Sequence, residues 1–367
     1  MIRGRGPTGR QNVTRPSMLG RIRGALLGVG VGDALGAAVE FQSLAEIRAC
    51  HGEAGVTDYV PAYGRHGAIT DDTQMTLFTA EGLIRAWVRQ QEKGISSIPS
   101  VVHHAYLRWL LTQGERPRSG LEIGTDGWLY AVRSLHCRRA PGNTCLGALV
   151  QCNGFGTPAL NNSKGCGGVM RVMPVGLFAK VLADDDKIFS TASDTAAVTH
   201  GHPTGFLAAG YLALVIANLL QGDELPRSLD LAAKEMRRHE GHEETLRAID
   251  KGRALARRGR PAPEQLESLG GGWTAEEALA IAICCALAAS SFEEGVLMAV
   301  NHSGDSDSTG AIAGGVLGAL HGVSEIPARW LNRLEIGTAI ERMALDLDAV
   351  TSDRMTAGEA WNAYPGW

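Results

Sequence analysis

The chain has 367 residues, 44% apolar and 20% charged, an apolar share that excludes disorder along its whole length. With 35 basic against 39 acidic residues the net charge is −4, too balanced for a nucleic-acid binder that relies on bulk positive charge. Forty-seven glycines without a G-X-Y period exclude collagen and must serve loops or close helix contacts.

Residues 1–17 carry Arg3, Arg5, Arg10 and Arg15 without the apolar core of a signal peptide. They are expected to form a flexible basic tail, with a partner-binding arm as the alternative. The stretch 18–40 reads as a helix in which Gly20, Gly24, Gly28, Gly32 and Gly36 recur every fourth residue. That spacing lines them along one ridge, where a neighbouring backbone can come close. Each glycine costs a helix about 1 kcal/mol against alanine, so close packing must offset it. Ser43-Leu44-Ala45-Glu46 is a capping box opening a short helix.

Helical periodicity resumes from Thr73, with Leu77, Phe78, Ile84 and Val88 on one face, and returns at 99–113, 169–181, 204–220 and 228–239. The apolar run Phe206 to Leu220 contains Asn218 and is shorter than the ~20 residues of a membrane span, so it reads as a buried helix. Segment 114–166 is irregular in its second half, and 252–272, with its arginines, prolines and triple glycine, reads as a loop. Thr274-Ala275-Glu276-Glu277 is a second capping box, starting a helix through Ser290. Gly310, Gly314 and Gly318 repeat the glycine ridge in 309–321, and Pro327 fits the first turn of a last helix carrying Trp330, Leu334, Met343 and Leu347. Period-2 alternation is scarce. The expected fold is all-α, a compact multi-helix orthogonal bundle forming a single domain over 18–367.

Seven cysteines, an odd number without any Cys-x-x-Cys, fit neither a disulfide framework nor a zinc ribbon and point to a reducing, cytoplasmic setting. Two acidic motifs stand just before helices: Thr70-Asp71-Asp72-Thr73 and Gly304-Asp305-Ser306-Asp307-Ser308-Thr309. Each alone is an ordinary helix cap. Together, Asp71, Asp72, Asp305 and Asp307 with the Thr70 and Ser308 hydroxyls make an all-oxygen donor set suited to hard ions such as Mg²⁺ or Mn²⁺. The condition is that the two motifs meet in space. An EF-hand reading fails because its twelfth position is Val316, not glutamate. The string Asp305-x-Asp307-x-Thr309 also resembles the haloacid-dehalogenase phosphatase motif, with Val296 to Val300 as the strand before it, and stands as a minor alternative.

Ser163-Lys164-Gly165-Cys166-Gly167-Gly168 leads into a helix and suits a diphosphate held by backbone amides, although it is not a Walker A loop. Thr199-His200-Gly201-His202-Pro203 lacks the further ligands of a metal site. His200 is read there as a helix cap or as a contact to ribose or phosphate. Glu40 is a single carboxylate that, taken alone, reads as a solvated surface acid.

The motifs Gly28-Val29-Gly30-Val31-Gly32-Asp33-Ala34-Leu35-Gly36, Thr70 to Thr73, Gly165 to Arg171, Thr199-His200-x-x-Pro203 and Gly304-Asp305-x-Asp307-Ser308 resemble, in order, those of the ADP-ribosylglycohydrolases, including the type that activates dinitrogenase reductase. The resemblance spans about residues 18–320. It implies a binuclear metal centre in a central cleft, two Mg²⁺ or Mn²⁺ ions held by Thr70, Asp71, Asp72, Asp305, Asp307 and Ser308. It implies hydrolysis of the bond between ADP-ribose and a protein side chain, with arginine expected and serine open. Ser163, Lys164, Gly165, Cys166, Gly167 and Gly168 would cradle the diphosphate, with His200 against the ADP-ribose. Glu40 aligns with a lid-loop acid near the metals. Asp72, Asp307 and Glu40 are the candidates for proton transfer. Ser308 replaces a common Thr, Ser303 a frequent Gly, and Cys166 an Asn found in some members. An ADP-ribosylated protein is the expected partner and ADP-ribose the product ligand, with a monomer and neither nucleic acid nor membrane. Binding of an ADP-ribosyltransferase, as in toxin immunity, is the alternative the basic tail suggests.

Overall fold

A computed structural model describes residues 15–366, and among them are 18 α-helices and no β-strand. Of the expected tail, residues 1–14 lie outside the described part. Ser17 already belongs to the first helix (Met18–Gly36), which it caps by accepting from the Gly20 amide.

The two glycine ridges face each other. Helix Met18–Gly36 runs antiparallel to Ser306–His321. A Cβ on Gly24, Gly28, Gly32 or Gly36 would stand less than 3.0 Å from the carbonyl oxygen of Gly318, Gly314, Gly310 or Ser306 respectively. Backbone against backbone at this range supplies the dispersion contacts that offset the poor helix propensity. Gly20 shares the spacing but meets only Ser17 and Pro16 of its own end. The helix stops at Gly36, short of the expected 40, where it abuts the backbone of Ser306 and Asp307. Residues 37–41 turn away there and carry Glu40.

The Ser43 capping box forms, with the Ser43 amide donating to Glu46 at 2.8 Å. The apolar helix Pro203–Leu220 has the length and composition of a membrane span, but 89% of it is buried inside the bundle. Several expectations need correction. The run 169–181 is two short helices, Met173–Leu177 and Ala179–Leu182, broken at Phe178. Helix Glu243–Ala256 extends into the expected loop 252–272, which also holds the turn Pro263–Leu266. The last helix divides into Ala328–Leu331 and Gly337–Thr351, because Ile336 adopts φ 49° and the Glu335 amide is bonded to the Gly67 carbonyl instead. Helices Asp185–Ala197 and Phe292–Val300 were not foreseen. Side-chain caps from Asp184 and Ser291 start them. Val296 to Val300 is therefore helix, and the strand that a haloacid-dehalogenase core requires is absent.

Two buried ionic groups orient the segment that carries Asp71 and Asp72. Glu81 on helix Asp71–Lys93 accepts from Arg85 at 3.0 Å and from Arg108 of helix Ile98–Thr112 at 2.8 Å, all three fully buried. Glu335 accepts from both Arg139 nitrogens, at 2.6 and 3.0 Å, from Arg65 at 2.8 Å and from the Ile69 amide at 3.2 Å. Paired charges satisfied in this way are tolerated inside a fold, and they fix the approach to Thr70.

Candidate functional site

Three helix ends converge on one cleft of about 420 Å³. Thr70 caps helix Asp71–Lys93, its hydroxyl 3.4 Å from the Asp72 amide. Gly304 adopts φ 127° and packs against Gly271, and the Asp305 amide donates to the Gly271 carbonyl at 2.8 Å, which sets Asp305 and Asp307 at the start of helix Ser306–His321. Asp71, Asp72, Asp305, Asp307 and Ser308 all line the cleft, together with Glu40. Single carboxylate oxygens of Glu40, Asp305 and Asp307 lie within 4.8 Å of one another. The two acidic motifs therefore meet, as the all-oxygen reading requires.

Asp33, at the C-terminal end of the glycine helix, joins them from below. It is fully buried and accepts from the Thr70 amide at 2.9 Å and the Thr73 amide at 3.0 Å, and also from the Thr73 hydroxyl. Sequence reading passed over it as a site residue, although it follows the glycine ridge directly. It holds the Thr70–Thr73 turn in place.

Burial raises every one of these carboxyls, and repulsion between them adds to it at all but Asp307. Asp33 is pushed up to about 7 by burial and then by Asp307, against hydrogen bonds from Thr73 and Thr70. Glu40 is pushed up to about 11 by burial, then by Asp307, Asp305, Asp71 and Asp33. Asp71, Asp72 and Asp305 rise well above the carboxylate range, by burial first and Asp307 second. Burial also raises Asp307, which hydrogen bonds from Asp305, the Ser308 amide and Thr70 pull back down. The Asp72 Oδ1 and Glu40 Oε2 atoms are buried without a hydrogen-bond partner among the described residues.

The glycine loop forms another wall. Gly165, Cys166 and Gly167 line the cleft, while Ser163, Lys164 and Gly168 do not. The Cys166 thiol donates to Asp305 Oδ2 at 2.8 Å and stands 3.6 Å from the Ser308 hydroxyl. Lys164 turns away, with its ammonium 2.6 Å from Glu244 and 2.8 Å from Glu276. The Thr274 side chain makes no cap bond. The loop takes over that helix start, with the Ala275 amide donating to the Lys164 carbonyl at 2.8 Å and Cys166 to that of Trp273 at 3.1 Å.

His200 packs against the loop, its Nε2 3.4 Å from where a Gly165 Cβ would stand. Its Nδ1 is 2.8 Å from the Thr199 hydroxyl, which accepts from buried Arg171 at 2.6 Å. Burial and Arg171 lower the imidazole to about 3, so it is neutral. The helix cap at this motif is His202, whose Nδ1 accepts from the Thr204 amide at 3.1 Å. Arg138, Phe41 and Trp273 also line the cleft and were not foreseen. For Trp273 the available signal was an aromatic directly after Gly270-Gly271-Gly272.

Residues 14–357 match the family model of the ADP-ribosylglycohydrolases, and the chain belongs to that family. It is thus a hydrolase acting on a glycosyl bond of ADP-ribose. It is 27% identical over 332 residues to the ADP-ribosyl-[dinitrogen reductase] glycohydrolase of Rhodospirillum rubrum, covering 88% of this chain and 93% of that protein. It is 24% identical over 336 residues to the ADP-ribosylarginine hydrolase Tri1 of Serratia proteamaculans (strain 568), covering 90% and 79%. A solved structure described as an ADP-ribosylglycohydrolase-related protein complex superposes with a TM-score of 0.61 at 27% identity, over 91% of this chain and 99% of that one.

Proposed function

We propose that this chain removes ADP-ribose from modified arginine side chains of proteins and that it uses two Mg²⁺ or Mn²⁺ ions to do so. The observation that carries the reading is that Asp71 and Asp72 meet Asp305, Asp307 and Ser308 in one cleft beside the glycine loop, with Thr70 behind them at the helix cap. The donors fit such ions. They are all oxygens, and two buried carboxylate oxygens, Asp72 Oδ1 and Glu40 Oε2, have no partner among the described residues. A buried, unpaired carboxylate is strongly unfavourable, so a cation is the missing counter-charge. Thr70, Asp71, Asp72, Asp305, Asp307 and Ser308 would hold the ions. When bound, such ions polarise sugar oxygens and lower the pKa of water.

The chain's own groups supply the rest. Glu40 Oε2, Asp72 Oδ1 and the Asp307 carboxylate are the oxygens placed to accept a proton from the attacking water or return it to the leaving nitrogen. Asp33 keeps the Thr70 turn aligned. The Gly165–Gly167 backbone gives the diphosphate close approach. The Thr199 hydroxyl accepts from Arg171 and gives its one proton to the nearer of two acceptors, His200 Nδ1 at 2.8 Å rather than the Ala196 carbonyl at 3.3 Å. That leaves the ring proton on Nε2, a neutral donor toward the ADP-ribose. Binding energy from these remote groups positions the anomeric carbon.

An ADP-ribosylated protein is the substrate and ADP-ribose the released ligand under this reading. The seven free thiols support a reducing, cytoplasmic setting. Nothing among the described residues favours the transferase-binding alternative, which depended on 1–17. Arginine is preferred because the Serratia relative is named an ADP-ribosylarginine hydrolase.

The direct test is release of ADP-ribose from an arginine-modified protein with Mg²⁺ or Mn²⁺ and its loss with EDTA. No release with either metal sinks the reading. A metal at 100 times its dissociation constant is also expected to stabilise the fold by about 2.7 kcal/mol, seen as a raised melting temperature that EDTA reverses. Because its ammonium faces Glu244 and Glu276, Lys164→Met should change KM by less than about threefold, the scale of an exposed pair of charges. A tenfold rise would return Lys164 to the diphosphate.

A further inference from the structure

Two large aromatic rings stand exposed at the cleft. Phe41 is 72% and Trp273 45% exposed, and the rings stack with centroids 5.7 Å apart and planes 21° from parallel. The two are held very differently. Trp273 sits on a segment tied to both walls of the site: its carbonyl accepts from the Cys166 amide at 3.1 Å, Gly165 and Thr274 form an antiparallel bridge, and the Gly271 carbonyl accepts from Asp305 at 2.8 Å. Phe41 directly follows Glu40 at the end of the 37–41 turn. A fixed indole thus has one face covered by a ring that only a short turn holds.

We propose that the covered face of Trp273 receives the guanidinium of the modified arginine and that Phe41 occupies this face in the free chain. This rests on the arginine reading above. The reacting sugar carbon belongs at the carboxylates, so the side chain leaving it must point to the cleft mouth, where the rest of the modified protein lies. A guanidinium is flat, cationic and weakly hydrated, and it stacks on indole through the negative face of the ring. The hydroxyl oxygen of a modified serine has neither plane nor charge to offer. Trp273 is therefore a specificity residue in contact with the leaving group, and Phe41 a stand-in that the substrate displaces.

The test uses the full chain with Mn²⁺ and an ADP-ribosylated arginine peptide, beside calorimetric binding of ADP-ribose. Trp273→Ala should lower kcat/KM by roughly 2- to 30-fold, the span of cation–π attraction converted at tenfold per 1.4 kcal/mol. Trp273→Phe should restore most of that loss. Both variants should bind ADP-ribose within about twofold of the wild type, and Phe41→Ala should lower KM, since it removes a competitor for the platform; a KM that is unchanged or raised overturns the role given to Phe41. If Trp273→Ala weakens ADP-ribose by the same factor as kcat/KM, the indole serves the nucleotide instead and the proposal falls. It falls equally if kcat/KM does not change, or if Trp273→Phe fails to rescue. A wild type that releases ADP-ribose only from other linkages defeats the arginine reading and this proposal together. Trp273→Ala results on an arginine-active wild type judge the proposal alone.

Discussion

Asp307→Ala is expected to lower kcat/KM by at least about 1000-fold, while the metal-free variant is as stable as the wild type or more so. The first half follows from the charge that Asp307 contributes to the cation site. Losing several kcal/mol of transition-state stabilisation is a thousandfold at 1.36 kcal/mol per factor of ten. The second half follows from the direction of the carboxyl shifts. Asp307 is the charge that raises Asp71, Asp72, Asp305 and Glu40 most after burial itself. Without a cation, the wild type must either hold these groups ionised against one another or keep them protonated, and both oppose folding at neutral pH. Removing Asp307 lifts that repulsion from four neighbouring carboxyls and gives up its hydrogen bonds with the Ser308 amide at 3.0 Å, Asp305 and Thr70, so the relief is expected to match or exceed the loss. Thermal melts with EDTA and with Mn²⁺ separate the two effects: the variant's melting temperature should not fall in EDTA, and Mn²⁺ should no longer raise it. A variant that melts well below the wild type in EDTA would show instead that Asp307 is a structural partner.

The site was legible in the sequence where its chemistry is local. Thr70-Asp71-Asp72 and Asp305-x-Asp307 lie at helix starts, whose caps a short string reveals, and their shared sign of charge already demanded a cation if they met. The facing glycine ridges were legible because a four-residue period has one geometric meaning in a helix. What escaped depends on partners far along the chain. Lys164 reads as a phosphate ligand from its loop, but Glu244 and Glu276, brought up by helices Glu243–Ala256 and Ala275–Ala288, hold its ammonium elsewhere. Thr274 has the spacing of a capping box, yet the backbone of Gly165 pairs with it. Asp33 looks like one more polar residue in a glycine helix until the Thr70 and Thr73 amides are seen to point at it. Helix Phe292–Val300 hid for another reason: it has only 9 residues, and its Ser291 cap does more than its periodicity to start it.

Gly32→Ala is the substitution that ties this packing to the chemistry. A Cβ there would stand less than 3.0 Å from both the carbonyl oxygen and carbonyl carbon of Gly310, and neither is the movable end of a side chain. The helices must part or tilt, which by the scale of overpacked cores costs about 3 kcal/mol, even though alanine favours the helix itself by about 1 kcal/mol. Asp33 follows Gly32 directly and carries the Thr70 and Thr73 amides. A shift of the helix therefore reaches the Asp71–Asp72 end of the site, and a misplacement near 1 Å lowers turnover by about 100-fold. Gly20→Ala provides the control. It lies on the same ridge with the same spacing, but faces only Ser17 and Pro16, so its stability should stay within about 1 kcal/mol of the wild type and its activity should be unchanged. Denaturant melts and ADP-ribose release on the two variants decide the matter. Equal stability and equal turnover in both would mean that the ridge is not a contact surface, and that the position of Asp33 does not depend on it.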